Sequence, residues 1–394
     1  MKKNLIALAV FGAFSGAALA QSNVTLYGII DVNFQYNDPD ASNVSSTRGI
    51  NSGHQSGSRW GVRGSEALSA GLNAIFTIEG GYAPDLGTQL QGGRLFGRQA
   101  WAGLSGGWGT VVAGRVATFS SGTGSFDMFG NTDPFLTGFG DSGLGSTFTS
   151  AGALRLDNSV LYSSPSFGGF KFGGGYSFNA NGTEGAGNGN NNRVIFLGVN
   201  FARGPFFAAV TYDTFDVPDG GIAGSAATPR VGTNASDQKH LQVGATFDLK
   251  FLKLHGGYAK EDNVYFTSGL GLQSDPGADA DSWMAGLSLP LGPAGGTLLG
   301  SYQRRNGDSV GVCLLASTTA ACPVASRQNR DRDVRVWAIG YTYPFSRRTN
   351  VYVNFSDLDS ETRTTTFTPT GAVASNTTAE GGRKQYTVGV RHLF

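Results

Sequence analysis

Val24-Thr25-Leu26-Tyr27-Gly28-Ile29-Ile30-Asp31-Val32-Asn33-Phe34-Gln35 is the stretch that decides the fold. Val24, Leu26, Gly28, Ile30, Val32 and Phe34 share one face, and Thr25, Tyr27, Asp31, Asn33 and Gln35 fall mainly on the other. A period of two over twelve residues is a β-strand with one apolar and one polar side. The pattern returns near the C-terminus. Trp337, Ile339, Tyr341, Tyr343 and Phe345 share a face, and after Ser346–Thr349 it continues through Val351, Val353 and Phe355, which predicts a hairpin. Tyr386, Val388, Val390 and Phe394 repeat it in the last segment against Gln385, Thr387 and Arg391, with His392 on the apolar parity.

The connections between such segments come in two kinds. Tight turns are expected at 67–70, 106–109, 165–168, 203–205, 249–251, 290–294 and 345–349. Long polar connections rich in Gly, Asn, Asp, Ser and Thr are expected near 38–55, 84–93, 117–152, 180–190, 215–237, 263–279, 306–331 and 359–382. Seven short and eight long connections alternate strictly and join sixteen strands, so one rim carries loops and the other turns. Sixteen strands closed into a barrel enclose more volume than side chains fill, so the lumen is expected to be wet. Loops on one rim only, with an even strand number, are the pattern of an outer-membrane barrel. The fold class expected is therefore all-β: a 16-stranded antiparallel transmembrane β-barrel with short periplasmic turns and long external loops. A soluble up-and-down barrel would turn its apolar face inward and needs fewer strands. Tyr and Phe near strand ends (Tyr36, Tyr82, Tyr162, Phe170, Tyr212, Tyr258, Tyr302, Tyr343, Phe345) fit interfacial girdles.

Composition agrees. Of 394 residues, 61 are Gly and 27 Phe, only 14% are charged, and the formal net charge is +1. Disorder, a collagen repeat and a cysteine-rich scaffold are excluded, and without a basic excess nucleic acid is not an expected partner. Lys2 and Lys3, the apolar run to Leu19 and the small-x-small ending Ala18-Leu19-Ala20 read as a secretory signal peptide. Residues 1–20 are expected to be cleaved, leaving 21–394 as one barrel domain; removing two lysines and no acids leaves 27 basic against 28 acidic residues. No later run of apolar residues is long enough for a transmembrane helix.

Several segments together resemble the Gram-negative general porins, most closely those of beta-proteobacteria. They are Val24–Asp31, Ser58–Glu66, Arg98–Leu104 with Gly114-Arg115, Asp157–Tyr162, and the end Gly389–Phe394. The similarity spans the mature chain. It implies a sixteen-stranded barrel, usually a homotrimer in outer-membrane lipid and lipopolysaccharide, that passes small ions and hydrophilic solutes by diffusion. It also implies that the third external loop folds into the lumen and that an arginine cluster lines the constriction. Phe394 resembles the signal read by the barrel assembly machinery, and it is also expected to end the strand that closes on the first.

Parity places Arg59 and Arg63 inward opposite Trp60 and Val62, and Arg155 inward with Leu154, Leu156, Val160 and Tyr162 outward. Resemblance alone puts Arg98 inside. Counting residues to the following turn sets Arg59, Arg98 and Arg155 at nearly one height, about 20–25 Å above the turns. In the longest loop, Phe126, Met128, Phe129 and Phe135 are more apolar than an exposed loop needs and read as anchors inside the barrel. Asp127, Asp133 and Asp141 are then candidates to face the arginines, Asp133 best supported by resemblance, with Thr137 where the family often has a second acid; the other reading for Asp127 and Asp141 is turn capping. Glu79, inward on its strand, is a further candidate.

Cys313 and Cys322 lie nine apart, and export predicts a disulfide between them. No nearby histidine suggests a metal, and no motif implies a cofactor. His54, His240 and His255 sit in no recognisable catalytic context, and H-E-x-x-H, G-x-S-x-G and a Gly-Lys-Ser/Thr loop are all missing. The function expected is a passive channel with mild anion preference; the alternative is a substrate-specific channel for a sugar or carboxylate.

Overall fold

The structure is a computed structural model and describes residues 23–40, 44–69, 71–136, 138, 142–143, 155–180, 182, 191–216, 237–264, 278–293, 295–313, 327–367 and 373–394. The expectations for the segment 1–20, Leu154, Thr137, Asp141 and the Cys313–Cys322 pairing lie outside these residues or their described side chains. The strands begin with β1 (Asn23–Pro39), β2 (Thr47–Ser52), β3 (Arg59–Ser69), β4 (Leu72–Ala83), the two-residue β5 (Thr88–Gln89) and β6 (Gln99–Gly106). They continue with β7 (Gly109–Ala117), β8 (Arg155–Ser163), β9 (Phe170–Ser177), β10 (Arg193–Arg203), β11 (Phe206–Asp216) and β12 (Gln238–Asp248). The remainder are β13 (Lys253–Val264), β14 (Ala278–Pro290), β15 (Thr297–Cys313), β16 (Arg327–Pro344), β17 (Thr349–Phe367) and β18 (Val373–Leu393).

Every pairing is antiparallel, between successive strands of the wall, and β18 returns to β1. β2 and β3 pair with successive halves of β1 and so form one wall strand, while β5 is a short rung on the end of β4. The wall is thus a closed barrel of sixteen strands. Closure leaves no unpaired sheet edge, which lipid would penalise. At the seam the amides of Gly28 and Phe394 each donate to the other's carbonyl. Gly28 is needed there, because a Cβ would lie 2.1 Å from the Phe394 ring.

The outward face is apolar: Leu26, Ile30, Phe34, Ile195, Leu197, Val210, Val243, Leu287, Ile339, Val353 and Val388 are all well exposed. Aromatic rings bound this band. Towards the long-connection rim Tyr258, Trp283, Tyr302, Trp337, Phe355, Tyr386 and Tyr36 follow one another round the wall, with Trp283–Tyr302 at 5.2 Å, Trp337–Phe355 at 4.9 Å and Phe355–Tyr386 at 4.8 Å between centroids. Phe170, Phe201 and Phe206 cluster at the turn rim, the first two 4.5 Å apart. From Trp337 on β16 to Phe345 just past its end is about 26 Å at ~3.3 Å per residue, or about 20 Å of height at a tilt of ~40°, a little under the ~25 Å apolar band of an outer-membrane barrel.

All seven tight turns fall where expected. Two of the eight long connections are largely taken up by strand: β15 and β16 reach Cys313 and back from Arg327, and β17 and β18 reach Phe367 and back from Val373, so half of 306–331 and most of 359–382 is strand. These segments stand beyond the aromatic ring, where the outward side no longer meets lipid and the apolar half of the alternation is not required. A second correction concerns Leu156, which is fully buried in the lumen rather than facing lipid. A register shift between Gly114 and Val116 on β7, together with Asn158 at φ 47°, breaks the alternation of β8, so that Leu156 joins Ser159 and Leu161 among the buried residues.

Candidate pore constriction

Residues 118–136, 138 and 142–143 lie inside the barrel beyond β7, with a 3₁₀ turn at Gly130–Thr132. Phe119, Phe129 and Phe135 are fully buried and Phe126 and Met128 nearly so, as the anchor reading requires. Phe119, Phe126 and Met128 pack on Val112, Val116, Leu156, Leu161 and Phe196, which explains why this part of a polar lumen is apolar. Phe129 packs on Ala209, Ala259 and Met284, and Phe135 on Leu299, Ala338 and Tyr352.

Glycines mark the path on the wall. A Cβ at Gly173 would lie 2.4 Å from Phe119, at Gly198 2.8 Å from Met128, at Gly244 2.6 Å from Thr132, at Gly286 2.7 Å from Pro134 and at Gly340 2.7 Å from Phe135. These five glycines lie on β9, β10, β12, β14 and β16, so the loop crosses from the β7 side to the far wall. Polar bonds fasten it: Ser120 Oγ donates to Asp213, Ser125 N donates to Gln99 Oε1 at 3.0 Å, and Gln303 Nε2 donates to the Ser142 carbonyl at 2.7 Å. His255 Nδ1 lies 3.2 Å from the Thr132 carbonyl.

Residues 53–58 form a second inward excursion, between β2 and β3, that sequence reasoning missed. Its organiser is Asp31, fully buried on the inner face of β1. The Asp31 carboxylate accepts from Ser56 N at 2.7 Å and from Tyr352 Oη at 2.6 Å, and Ser58 Oγ bonds the Asp31 main chain. The excursion meets the crossing loop, because a Cβ on Gly138 would lie 1.9 Å from the Gln55 carbonyl and Asn354 Nδ2 contacts both Ser142 Oγ and His54. The small residues Gly53, Ser56, Gly57 and Ser58 beside an inward Asp were the available signal.

Opposite the loop stand the arginines. Arg59 opens β3, Arg98 immediately precedes β6, and Arg155 opens β8. Arg59 Nε donates to the Gly57 carbonyl at 2.8 Å, and Arg155 Nη2 donates to Thr123 Oγ1 of the loop at 3.4 Å. Arg155 lies within electrostatic range of both Arg98 and Arg59, so the structure brings the three together. Glu79, buried on β4, takes Arg98 Nε at 2.6 Å on one oxygen and Tyr27 Oη at 2.9 Å on the other. Arg63 lies lower, its guanidinium 5.2 Å above the Tyr27 ring. Of these four guanidinium groups, Arg98 is the one that bonds the Glu79 carboxylate.

Asp127 and Asp133 bond within the loop. Asp127 accepts from Gly122 N at 2.7 Å and Gly130 N at 2.9 Å and so caps its own turn; burial pushes its carboxyl up to about 6. Asp133 is 1% exposed and accepts from Phe135 N at 2.9 Å. Both short side chains accept from main-chain amides of a tightly folded loop, the turn role their residue type favours.

Two further charged groups escaped the sequence reading. On the inner wall His240 lies 3.5 Å from Asp213 and 3.7 Å from Glu261, and Arg305 bonds Glu261 at 2.6 Å, all of them buried. These residues lie on four different strands, so no local spacing announces them. Near the rim Asp157 takes Arg94 at 2.8 Å and Arg115 at 2.5 Å. Among the described residues, the carboxylates of Asp40, Asp357 and Asp359 approach within 4.8 Å of one another, exposed and away from the constriction.

A family model for Gram-negative porins matches residues 7–363. The chain belongs to the Gram-negative porin family. The porin is 34% identical over 438 residues to an outer membrane porin protein of Bordetella pertussis, and 32% identical over 400 residues to outer membrane porin protein 32 of Delftia acidovorans; each alignment covers all of both chains. Its barrel superposes on an anion-selective porin from Comamonas acidovorans with a TM-score of 0.67 and 26% identity, covering 95% of this chain and all of that one. The protein is an outer-membrane porin, a passive channel whose water-filled lumen the crossing loop narrows.

Proposed function

We propose that this porin passes small hydrophilic solutes and ions with a mild preference for anions, and that Arg59, Arg98, Arg155 and Arg63, offset among the described residues by Glu79, set that preference. The observation that carries it is the burial of the Asp127 and Asp133 carboxylates inside the loop, which leaves guanidinium charge unbalanced on the opposite wall. Low-dielectric walls focus such a field at the narrowest point. The anion-selective relative supports the same sign. The porin works as a homotrimer, is exported with residues 1–20 removed, carries a Cys313–Cys322 disulfide, and offers Phe394 to the assembly machinery; family membership and the compartment support these readings. It is a channel without a catalytic role, in line with its relatives.

Proteoliposome swelling tests the passive part. Flux of neutral sugars and small carboxylates should rise linearly with concentration and fall with solute size. Saturation by one sugar or carboxylate would favour a substrate-specific channel instead.

A further inference from the structure

The wall strand that β2 and β3 form together holds more chain than the wall needs. Val32 lies across from Ser52, and Ile29 across from Arg59. Two residues of β1, Ile30 and Asp31, separate these pairs, but six residues, 53–58, separate Ser52 from Arg59. Six against two leaves four residues surplus to an unbroken ladder. One extra residue makes an ordinary β-bulge. Four make a loop, and this one turns inward, because on the lipid side its main-chain groups would find no partner.

Asp31 holds both ends of the excursion: Gly53 N donates to its carbonyl at 2.9 Å, and its own N donates to Ser58 Oγ at 3.0 Å. Between these points the excursion reaches two ways. On one side Gly57 lies against the arginines. Its carbonyl takes Arg59 Nε at 2.8 Å, and a Cβ on it would lie 3.1 Å from Arg98 Nη1. On the other side Gln55 reaches β17, where Asn350 Nδ2 donates to its Oε1 at 2.8 Å, and its carbonyl abuts Gly138 of the crossing loop. The crossing loop arrives at the same strand, with Asn354 Nδ2 2.9 Å from Ser142 Oγ. The loop therefore lines the wall from β7 round to β17, and the excursion continues the lining from β17 past the β18–β1 seam to β3. Among the described residues, arginine side chains bridge the remaining step from Gly57 back to the start of the loop, with Arg59 and Arg98 at Gly57 and Arg155 on Thr123 Oγ1 at 3.4 Å.

We propose that the 53–58 excursion is a second determinant of pore size: it completes the constriction ring that the crossing loop begins, and its half-buried Gln55 and Ser56 limit the size of the hydrophilic solutes that pass. The arginines set the sign of the ion preference, and the two-part ring sets the size limit. The proposal rests on the channel reading for where the constriction lies and adds an element of it that carries no formal charge, since Gly53, His54, Gln55, Ser56, Gly57 and Ser58 include no acid, lysine or arginine.

The test deletes residues 54–57 from the full-length chain. Gly53 already bonds Asp31, so the deletion leaves Gly53 and Ser58 as the two residues that the register calls for, with Arg59 still opposite Ile29. In planar bilayers the shortened barrel should conduct about 1.5-fold or more above wild type, since a lining one backbone spacing thick, ~5 Å, is gone from one side. In proteoliposome swelling, the flux of a trisaccharide relative to a monosaccharide should rise. The deletion removes no arginine and no acid, so the sign of the zero-current potential, which tests the arginine reading, is scored separately. A second arm leaves the backbone untouched: Ser56→Cys in a Cys313→Ser/Cys322→Ser background, assembled first and then treated with a bulky methanethiosulfonate, should lose conductance stepwise, and Ser346→Cys in the β16–β17 turn should not. A shortened barrel that migrates as folded and keeps the wild-type conductance and size limit would overturn the proposal. So would a Ser56→Cys pore that resists labelling, or one that keeps its full conductance once labelled; this arm decides the matter if the shortened chain does not assemble.

Discussion

Replacing Gly340 with Ala probes how the crossing loop is held. The added Cβ would sit 2.7 Å from Phe135 Cε1 and 3.2 Å from Asn354 Oδ1. Carbon atoms prefer about 3.5–4.0 Å, so the ring must retreat by roughly 1 Å. Phe135 cannot retreat into the wall, because Leu299, Ala338 and Tyr352 close its pocket. It must move towards the pore. Overpacking of this kind costs about 1–3 kcal/mol, comparable with what burying a Phe contributes. At ~0.6 kcal/mol of thermal energy, that raises the population of the unseated loop tip about 5- to 150-fold. Single-channel recording in planar bilayers should then show added open-channel noise and new subconductance levels. Gly300→Ala on neighbouring β15 is the matched control, since its Cβ meets nothing nearer than Leu287 at 3.7 Å. Indistinguishable traces from the two variants would refute the seating of the loop on the glycine track.

Three further outcomes follow from the same geometry. Glu79→Gln removes the carboxylate that Arg98 and Tyr27 share, so the zero-current potential in a salt gradient should move further towards the anion limit; no movement would mean that the pair lies outside the field the ions feel. Asp127 holds its proton more tightly in the folded loop, near 6, than its ordinary value of 3.8, so the stability it lends is complete below about 3.8 and is lost as pH rises through about 6. Hydrogen-exchange protection of the Gly122 and Gly130 amides, corrected for intrinsic rate, should therefore fall from pH 4 to 7 in the wild type and stay flat in Asp127→Asn; a flat wild-type profile would contradict it. Thiol labelling of Cys313 and Cys322 should fail without reductant, and Cys313→Ser should still assemble, because strand closure carries the fold.

The barrel was legible because lipid enforces a rule on every strand that crosses it. β1, the β16–β17 hairpin and all seven tight turns follow from period two and from turn residues. The rule stops where lipid stops, so the Thr364–Thr366 stretch of β17 and the charged start of β16 read as loop although both are paired strand. It also fails where the chain folds on itself. Leu156 looked lipid-facing because it is apolar, but the crossing loop supplies a second apolar surface inside the lumen. Arg59 and Arg63 were readable because parity fixes an inward side chain on a wall, whereas Arg98 was placed by resemblance and the parity reading of Arg155 assumed an outward Leu156 that is buried in the lumen. The loop acids were not, because a carboxylate on a folded loop can turn to its own amides as easily as to water. The Asp31-centred excursion and the His240 row depend on which inward side chains the strand register sets side by side, which no local pattern encodes.

The central claim is that guanidinium charge on one wall filters the ions, and the zero-current potential across a KCl gradient tests it most directly. Unit charges ~6 Å apart at an effective dielectric of ~20 interact by about 3 kcal/mol before screening, and a Debye length of about 8 Å near 0.15 M reduces that without abolishing it. The wild-type porin should be anion-selective, less so as salt rises, and Arg59→Ser with Arg155→Ser should carry the potential towards cations, while Arg347→Ser in the β16–β17 turn leaves it nearly unchanged. A cation-selective wild type, or a potential unmoved by the two wall substitutions, would contradict the account.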